Sequence, residues 1–459
     1  MEAAHGIYCS LMAATADRLT LFALVSVMIG LACSGHASDR QTRVIPHAWL
    51  HMPPRADGHI PKRLSLTGAF ADTARLIPSP GLIPYDLVVP FWSDGASKQR
   101  WISVPAAKIQ FRATGEWGFP PGTVLVKTFE LPVDEAHPEL KRRLETRLLV
   151  LDVDGGVYGV VYKWRPDNSD ADLLSTSLIE PISIKSSSGE ALSQSWYYPS
   201  RQDCLQCHNA HAGGVLGVKT RQINRSYTYA NGETANQLRA WNGLGLFEPA
   251  IGDEELASLS ALAAMDDASR SLEDRARSYL DANCAQCHRP GGTVAYFDAR
   301  YDTPLSRQEL IDGPVLIDEG IDRPRIISPH DIWRSIAYMR VNTDSDIRMP
   351  PLARETVDQR GVALLGQWIK SLPGRDVLDP PTVSPVGGSY DHALTITLQD
   401  SDPDADIRYT LDGSVPGVSD LHYDHPITIG APTILRARAF KPGYTRSITA
   451  QEVFIVNAP

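Results

Sequence analysis

The segment "DCLQCHNAH", Asp203 to His211, sets two cysteines three positions apart with a histidine directly after the second, at Cys204, Cys207 and His208. The segment "NCAQCHRPGG" repeats that spacing at Cys284, Cys287 and His288. Three chemistries use paired cysteines of this kind. Structural zinc sites pair Cys-x-x-Cys knuckles within about 12 to 20 residues of each other, whereas 77 positions separate Cys207 from Cys284. A dithiol redox centre places its motif at the start of a helix in a βαβ unit, and neither flank reads as the strand that requires. Covalent haem attachment uses all five positions: two thiols one helical turn apart add to the two vinyl groups, and the adjacent imidazole reaches the iron. The doubled histidine therefore argues for two covalently bound haem c groups. Cys204, Cys207, Cys284 and Cys287 would be their thioether anchors, and His208 and His288 their iron ligands.

Attachment of this kind belongs outside the cytoplasmic membrane, and the N-terminal sequence agrees. In "DRLTLFALVSVMIGLACSGHAS", Arg18 precedes an apolar run of about fifteen residues, and Gly35 and Ala37 stand at the −3 and −1 positions of a cleavage site. Residues 1–37 read as a signal peptide cleaved after Ala37, giving a periplasmic or exported protein. An uncleaved anchor fits less well, because Ser26 and Gly30 interrupt the run. Lipidation at Cys33 would want leucine where Gly30 stands. Cleavage removes Cys9 and Cys33 and leaves every remaining cysteine inside the two motifs.

The 459 residues suggest several cores, and 43% hydrophobic with 21% charged residues exclude a disordered chain. A formal net charge of −10 argues against nucleic acid as a partner.

The elements that must position the motifs differ between them. Ahead of Cys284, "SRSLEDRARSYLDANCAQCH" offers Ser271 and Asp274 as a capping pair and sets Leu272, Ala276, Tyr279 and Leu280 on one helical face. After it, "RMPPLARETVDQRGVALLGQWIKSLPG" predicts a second amphipathic helix opening at Thr356, with Gln359 as its capping partner. Ahead of Cys204, Pro199 forbids a continuous helix running into the motif. Residues 60–200 alternate as strands, with a hairpin predicted at Asp154-Gly155-Gly156. The stretch "IPYDLVVPFWSDGASKQRWISVP" interleaves aromatic residues with Asp94, Lys98 and Arg100. It reads as an aromatic core edge or as a loop facing a haem or another ligand.

The order helix, Cys-x-x-Cys-His, Gly-rich loop, Met-Pro, amphipathic helix across residues 267–374 resembles a class I cytochrome c. That resemblance implies Met349 as the second axial ligand of the second haem, the alternative being a core methionine. No Met-Pro follows the first motif, so its sixth ligand must come from elsewhere. His211 follows too closely to cross the porphyrin, and His47 and His51 are the remote alternatives. The segments "PFWSDGASKQRW", "FPPGTVLVKTF", "RLETRLLV", "DCLQCH", "GGVLGVKTRQIN" and "YLDANCAQCHRPGG" together resemble an uncharacterised family of exported bacterial dihaem c-type cytochromes. Near the C-terminus, "YTLDG" at Tyr409–Gly413 and "TILRARAFKPGYTRS" resemble the Ig-like domain that ends chitobiase and β-hexosaminidase proteins. The run Asp400, Asp402, Asp404, Asp406 lacks the glycine and glutamate of a calcium loop and reads as a solvated turn.

The expected architecture is multidomain. It comprises a signal peptide (1–37), a β-rich sandwich-like N-terminal domain (60–200), an α-helical cytochrome c region with two haem modules (201–266 and 267–374), and a C-terminal Ig-like β-sandwich (381–457). The expected function is electron transfer by a periplasmic dihaem cytochrome to or from a redox partner such as a dehydrogenase, with the C-terminal domain available for cell-envelope carbohydrate. The alternative is a peroxidase- or oxygenase-like haem enzyme, with the first haem as reactive centre and the second as its electron donor. No residue pattern singles out catalytic side chains or a substrate.

Overall fold

The computed structural model describes residues 48–293 and 296–457. The expected signal peptide and His47 lie outside the described residues. Among those described, no helix is long and apolar enough to cross a membrane.

The N-terminal part is built on six strands in chain order: β1 (Ile83–Pro84), β2 (Ser97–Ser103), β3 (Val124–Pro132), β4 (Lys141–Leu151), β5 (Val157–Trp164) and β6 (Ala171–Leu173). They form one antiparallel sheet in which each strand pairs with the next. The predicted hairpin joins β4 to β5, with Leu151 opposite Val157.

Side chains alternate across a sheet, and here the two faces differ. Val124, Val126, Leu148, Val150, Tyr158 and Val160 point to one side and bury Met52, Leu64 and Phe70. On the other, Ile102, Leu125 and Leu149 pack against Val215, Ile223, Leu238, Trp241 and Phe247. The layer opposite this second face is irregular chain and short helix from residues 215–256 together with a two-stranded sheet (178–185 and 191–198), whose Ile182, Trp196 and Tyr198 cover Phe129. The expected sandwich is thus reduced to one full sheet with a mixed layer over it.

The expected α-helical cytochrome c region is overturned as well. The described residues hold far more strand than helix. Their α-helices are α1 (Arg201–Cys207), α2 (Thr220–Ile223), α3 (Gln237–Gly243), α4 (Asp253–Ser258), α5 (Leu272–Asn283), α6 (Ile336–Val341) and α7 (Gln359–Ser371). Only α5 and α7 exceed seven residues. The physical reasons lie in two stretches. The chain after Cys207 spends its apolar residues on the core it shares with the sheet, and Phe247–Glu248 pairs in parallel with Ile109–Gln110. Between His288 and Asp358 the chain is dense in Pro, Gly and Asp, which favour turns over helix. It runs there through isolated bridges such as Ile311 to Ile327 and Arg325 to Ser335.

The two longer helices face each other. Ser271 caps α5 by accepting from the Asp274 N–H at 3.0 Å. Ala276, Tyr279 and Leu280 then pack on Val362, Leu365, Trp368 and Ile369 of α7. A Cβ on Gly361 would stand 2.4 Å from the Tyr279 ring, so glycine there sets how closely the helices approach. The start of α7 differs from expectation by three residues. Thr356 gives its N–H and hydroxyl to the Asp94 carboxylate (2.8 and 3.0 Å), and Asp358 becomes the cap, accepting from the Gly361 N–H at 3.0 Å.

At the C-terminus a three-stranded sheet (residues 382–384, 394–399 and 427–429) lies over a five-stranded one. Leu394, Ile396, Leu398, Leu435, Ala437 and Phe454 fill the space between them, as expected of an Ig-like sandwich. Asp402 is held by Lys441 at 2.7 Å and Asp406 by Arg408 at 2.8 Å.

Candidate functional site

The first motif sits on α1, which Pro199 and Ser200 delimit. Ser200 accepts from the Asp203 N–H, and the Asp203 carboxylate accepts in return from the Ser200 N–H at 2.8 Å, a reciprocal capping box. This single turn lies on β5. A Cβ on Gly159 would fall 2.8 Å from both Cβ and Sγ of Cys204, so only glycine lets the motif approach the strand this closely.

Nδ1 of His208 lies 2.8 Å from the Gly214 carbonyl, which can only accept. Nδ1 therefore carries the proton, and Nε2 keeps its lone pair. Burial, helped by the nearby Lys127 charge, holds the imidazole down at about 4, so it is neutral at physiological pH.

Cys204, Cys207 and His208 open onto a cleft holding about 1500 Å³ of space, the open solvent at its mouth included. The floor is the second sheet face, with Lys98, Arg100, Leu125, Lys127, Arg147, Leu149 and Gly159. Phe91 and Ser93 close one side, and Ala282, Ala285 and Gln286, flanking Cys284, close another. The aromatic stretch thus faces both ways. Phe91 and Ser93 line the cavity. The Trp92 backbone N–H donates to the Asn283 side-chain oxygen on the second motif's helix at 2.8 Å, and its indole donates to the Thr356 carbonyl at 3.1 Å.

The two motifs, far apart in sequence, meet. The thiols of Cys207 and Cys287 lie near enough to interact, which brings Cys287 down to about 7 and holds the proton of Cys207. Burial raises Cys204, and burial followed by the Cys287 charge raises Cys284 to about 12. His211 lies at the same junction. Its carbonyl accepts from Arg289 at 3.1 Å, and a Cβ on Gly291 would stand 2.8 Å from its Nδ1.

The second motif follows α5 directly. The His288 ring stacks on Phe297 with centroids 4.3 Å apart, and its buried Nδ1 has no hydrogen-bond partner among the described residues. Burial, then the Arg340 charge, brings His288 to about 4. Met349 is half-buried and linked to the same arginine, since its N–H donates to the Arg340 carbonyl at 2.8 Å.

His51 is not at the site. It is exposed, bonded to the Leu66 carbonyl at 3.2 Å, and sits with the segment that covers the other sheet face. Lys98 and Arg100 belong to the stretch read as an aromatic core edge or a ligand-facing loop, and both line the cavity; Lys127 and Arg147 have no such reading, although "VLVKTFEL" and "LETRLLV" each carry a cation within an apolar strand.

Among known families, the chitobiase/β-hexosaminidase C-terminal domain matches residues 385–451. No curated protein matches the chain. The C-terminal β-sandwich is therefore similar to a module of chitobiase and β-hexosaminidase proteins, and the match stops short of the cysteine motifs.

Proposed function

We propose that the protein is an exported electron carrier with haem covalently attached at both Cys-x-x-Cys-His motifs. The observation that carries this reading is the nearness of Cys207 to Cys287, because groups attached at neighbouring thiols are close enough to pass electrons. An iron porphyrin attached at each motif would supply a one-electron couple. The chain's own residues suit that role. His208 has its proton fixed on Nδ1 by the Gly214 carbonyl, the arrangement in which a metal-binding imidazole is held in orientation. His288 is neutral, with an unpartnered Nδ1. The cavity beside Cys204 and Cys207 is lined by Leu125, Leu149 and Leu216. The likeness of residues 60–374 to exported dihaem cytochromes points the same way. Met349 is the natural sixth ligand at the second iron, the partner is a redox protein such as a dehydrogenase, and the compartment is the periplasm.

Intact mass and pyridine haemochrome spectra test this directly. Two haems per chain are expected, one after Cys204→Ala/Cys207→Ala and one after Cys284→Ala/Cys287→Ala. Met349→Ala should lower the potential of the second haem and leave its attachment intact. A colourless protein with a Cys207–Cys287 disulfide would overturn the reading.

One observation favours the haem-enzyme alternative. Among the residues lining the cavity, His208 is the single histidine, and none is methionine. Rapid carbon monoxide binding by the reduced first haem would support an open, reactive iron, whereas six-coordinate low-spin signals from both haems would support electron transfer alone.

A further inference from the structure

The cavity floor carries charge in an unusual arrangement. Arg100 on β2 stands opposite Lys127 on β3, which stands opposite Arg147 on β4. Like charges directly opposite one another on neighbouring strands repel, so three cations in a row call for compensation. Lys98 joins them one pair further along β2. Its ammonium, that of Lys127 and the Arg147 guanidinium gather around the Phe129 ring at 5.9, 5.1 and 4.5 Å from its centroid.

Most cations of the wall have a carboxylate of their own. Arg100 pairs with Asp86 at 2.7 Å, Arg147 with Glu145 at 2.6 Å, Lys219 with Asp281 at 2.8 Å and Arg289 with Glu116 at 2.7 Å. Lys98 and Lys127 do not. Lys98 donates to the Phe91 carbonyl at 2.7 Å, and among the described residues no carboxylate stands within ion-pair distance of either lysine. Burial, then the neighbouring cations, pushes both below the usual lysine range, a pressure that an anion in the cavity would relieve.

Position adds direction. Cys204 rests on Gly159 of β5, and β2 lies three inter-strand steps of about 4.8 Å away across the same face. In a porphyrin the vinyl groups and the two propionates lie toward opposite edges. We infer that Lys98 and Lys127 form a seat for a pair of anionic oxygens at the end of the cavity remote from Cys204, filled by the two propionates of the first haem or by a small soluble oxyanion. This inference rests on the haem reading given above.

The test uses the two-haem protein, its Lys98→Met, Lys127→Met and double variants, and the charge-keeping Lys127→Arg. Haem content is measured first, then the potential of each haem, then the Soret band during titration with nitrite. If propionates fill the seat, losing either lysine lowers the potential of the first haem and leaves the second unchanged, Lys127→Arg keeps the parental value, and nitrite has no effect. Loss of the first haem from Lys127→Met but not from Lys127→Arg supports the same seat. If a soluble oxyanion fills it, nitrite shifts the parent's spectrum saturably, and the double variant requires about tenfold more, the loss of a charged hydrogen bond. Unchanged potentials with no nitrite effect in a protein that holds both haems would overturn the seat alone. So would a change of the first haem to high spin in Lys127→Met, which would make Lys127 an iron ligand. A colourless parent would overturn the haem reading and the seat together.

Discussion

The same five-residue motif is held by two unlike scaffolds. Around Cys204 the support is a sheet: a short capped helix laid on Gly159, with the His208 imidazole already locked by the Gly214 carbonyl. Around Cys284 it is a helix pair, and the His288 Nδ1 lacks a partner while its ring rests on Phe297. The difference teaches that the motif carries its chemistry locally and takes orientation from whatever packs beneath it. A sheet supplies a rigid floor with charged positions facing the cavity. Two helices supply an apolar wall and leave the imidazole to be oriented from beyond it.

The comparison breaks most visibly at Gly159. Any side chain there must displace Cys204, so on the proposed haem reading Gly159→Val should reduce covalent haem from two per chain to one by mass and haemochrome, the survivor being at Cys284 and Cys287. Retention of both would show that α1 does not depend on the sheet. The matching change on the other scaffold is Gly361→Ala, which drives a methyl into the Tyr279 ring. Overpacking of this kind costs about 1–3 kcal/mol, read as a lowered denaturation midpoint, with the first haem's spectrum unaltered. An unchanged midpoint would mean the helix pair adjusts freely.

A smaller effect sharpens the electrostatic side. In a Cys204→Ser/Cys207→Ser variant, which cannot attach the first haem, Lys127 should titrate near 7, below its ordinary 10.5, because burial and then Arg147 disfavour its charge. Between those values the unfolded chain keeps a proton that the folded chain has shed, so stability should rise with pH from 7 to 9, by at most about 1.4 kcal/mol per unit. Burial pushes Lys98 down in the same way, so Lys127→Met should lessen that slope and Lys98→Met/Lys127→Met should flatten it. A slope that survives the double change belongs to another group.

That the cysteines and histidine of each motif cluster was legible in the sequence, because positions three and four apart fall on one side of a helical turn. So were the hairpin at Asp154–Gly156, the Ser271 cap and the C-terminal sandwich, each determined by neighbours in the chain. The meeting of Cys207 with Cys287 was not, since it depends on how the sheet and α5 pack. Thr356 shows the same limit in miniature. Its local pattern marks a helix cap, but Asp94, 262 positions away, takes its hydrogen bonds. The helical region expected over 201–374 failed for two reasons: the apolar residues of 215–256 serve a core shared with strands that lie far earlier in the chain, and the stretch from His288 to Asp358 is dense in turn-forming Pro, Gly and Asp.

The segment leading into the C-terminal sandwich is fastened along its length. Asp376 meets His330 at 3.2 Å, Leu378 donates to the Thr445 carbonyl at 3.1 Å, and Asp379 receives the Trp333 indole at 2.8 Å. Asp322 gathers Arg334, Arg438 and Arg446 within 3.0–3.3 Å. Mechanically, the sandwich is a lever arm and not a ball on a string. Force applied to its outer strands travels through Arg334 into the chain that leads to α6 and Met349, so whatever surface the sandwich rests against also fixes the standoff and tilt of the second cysteine motif.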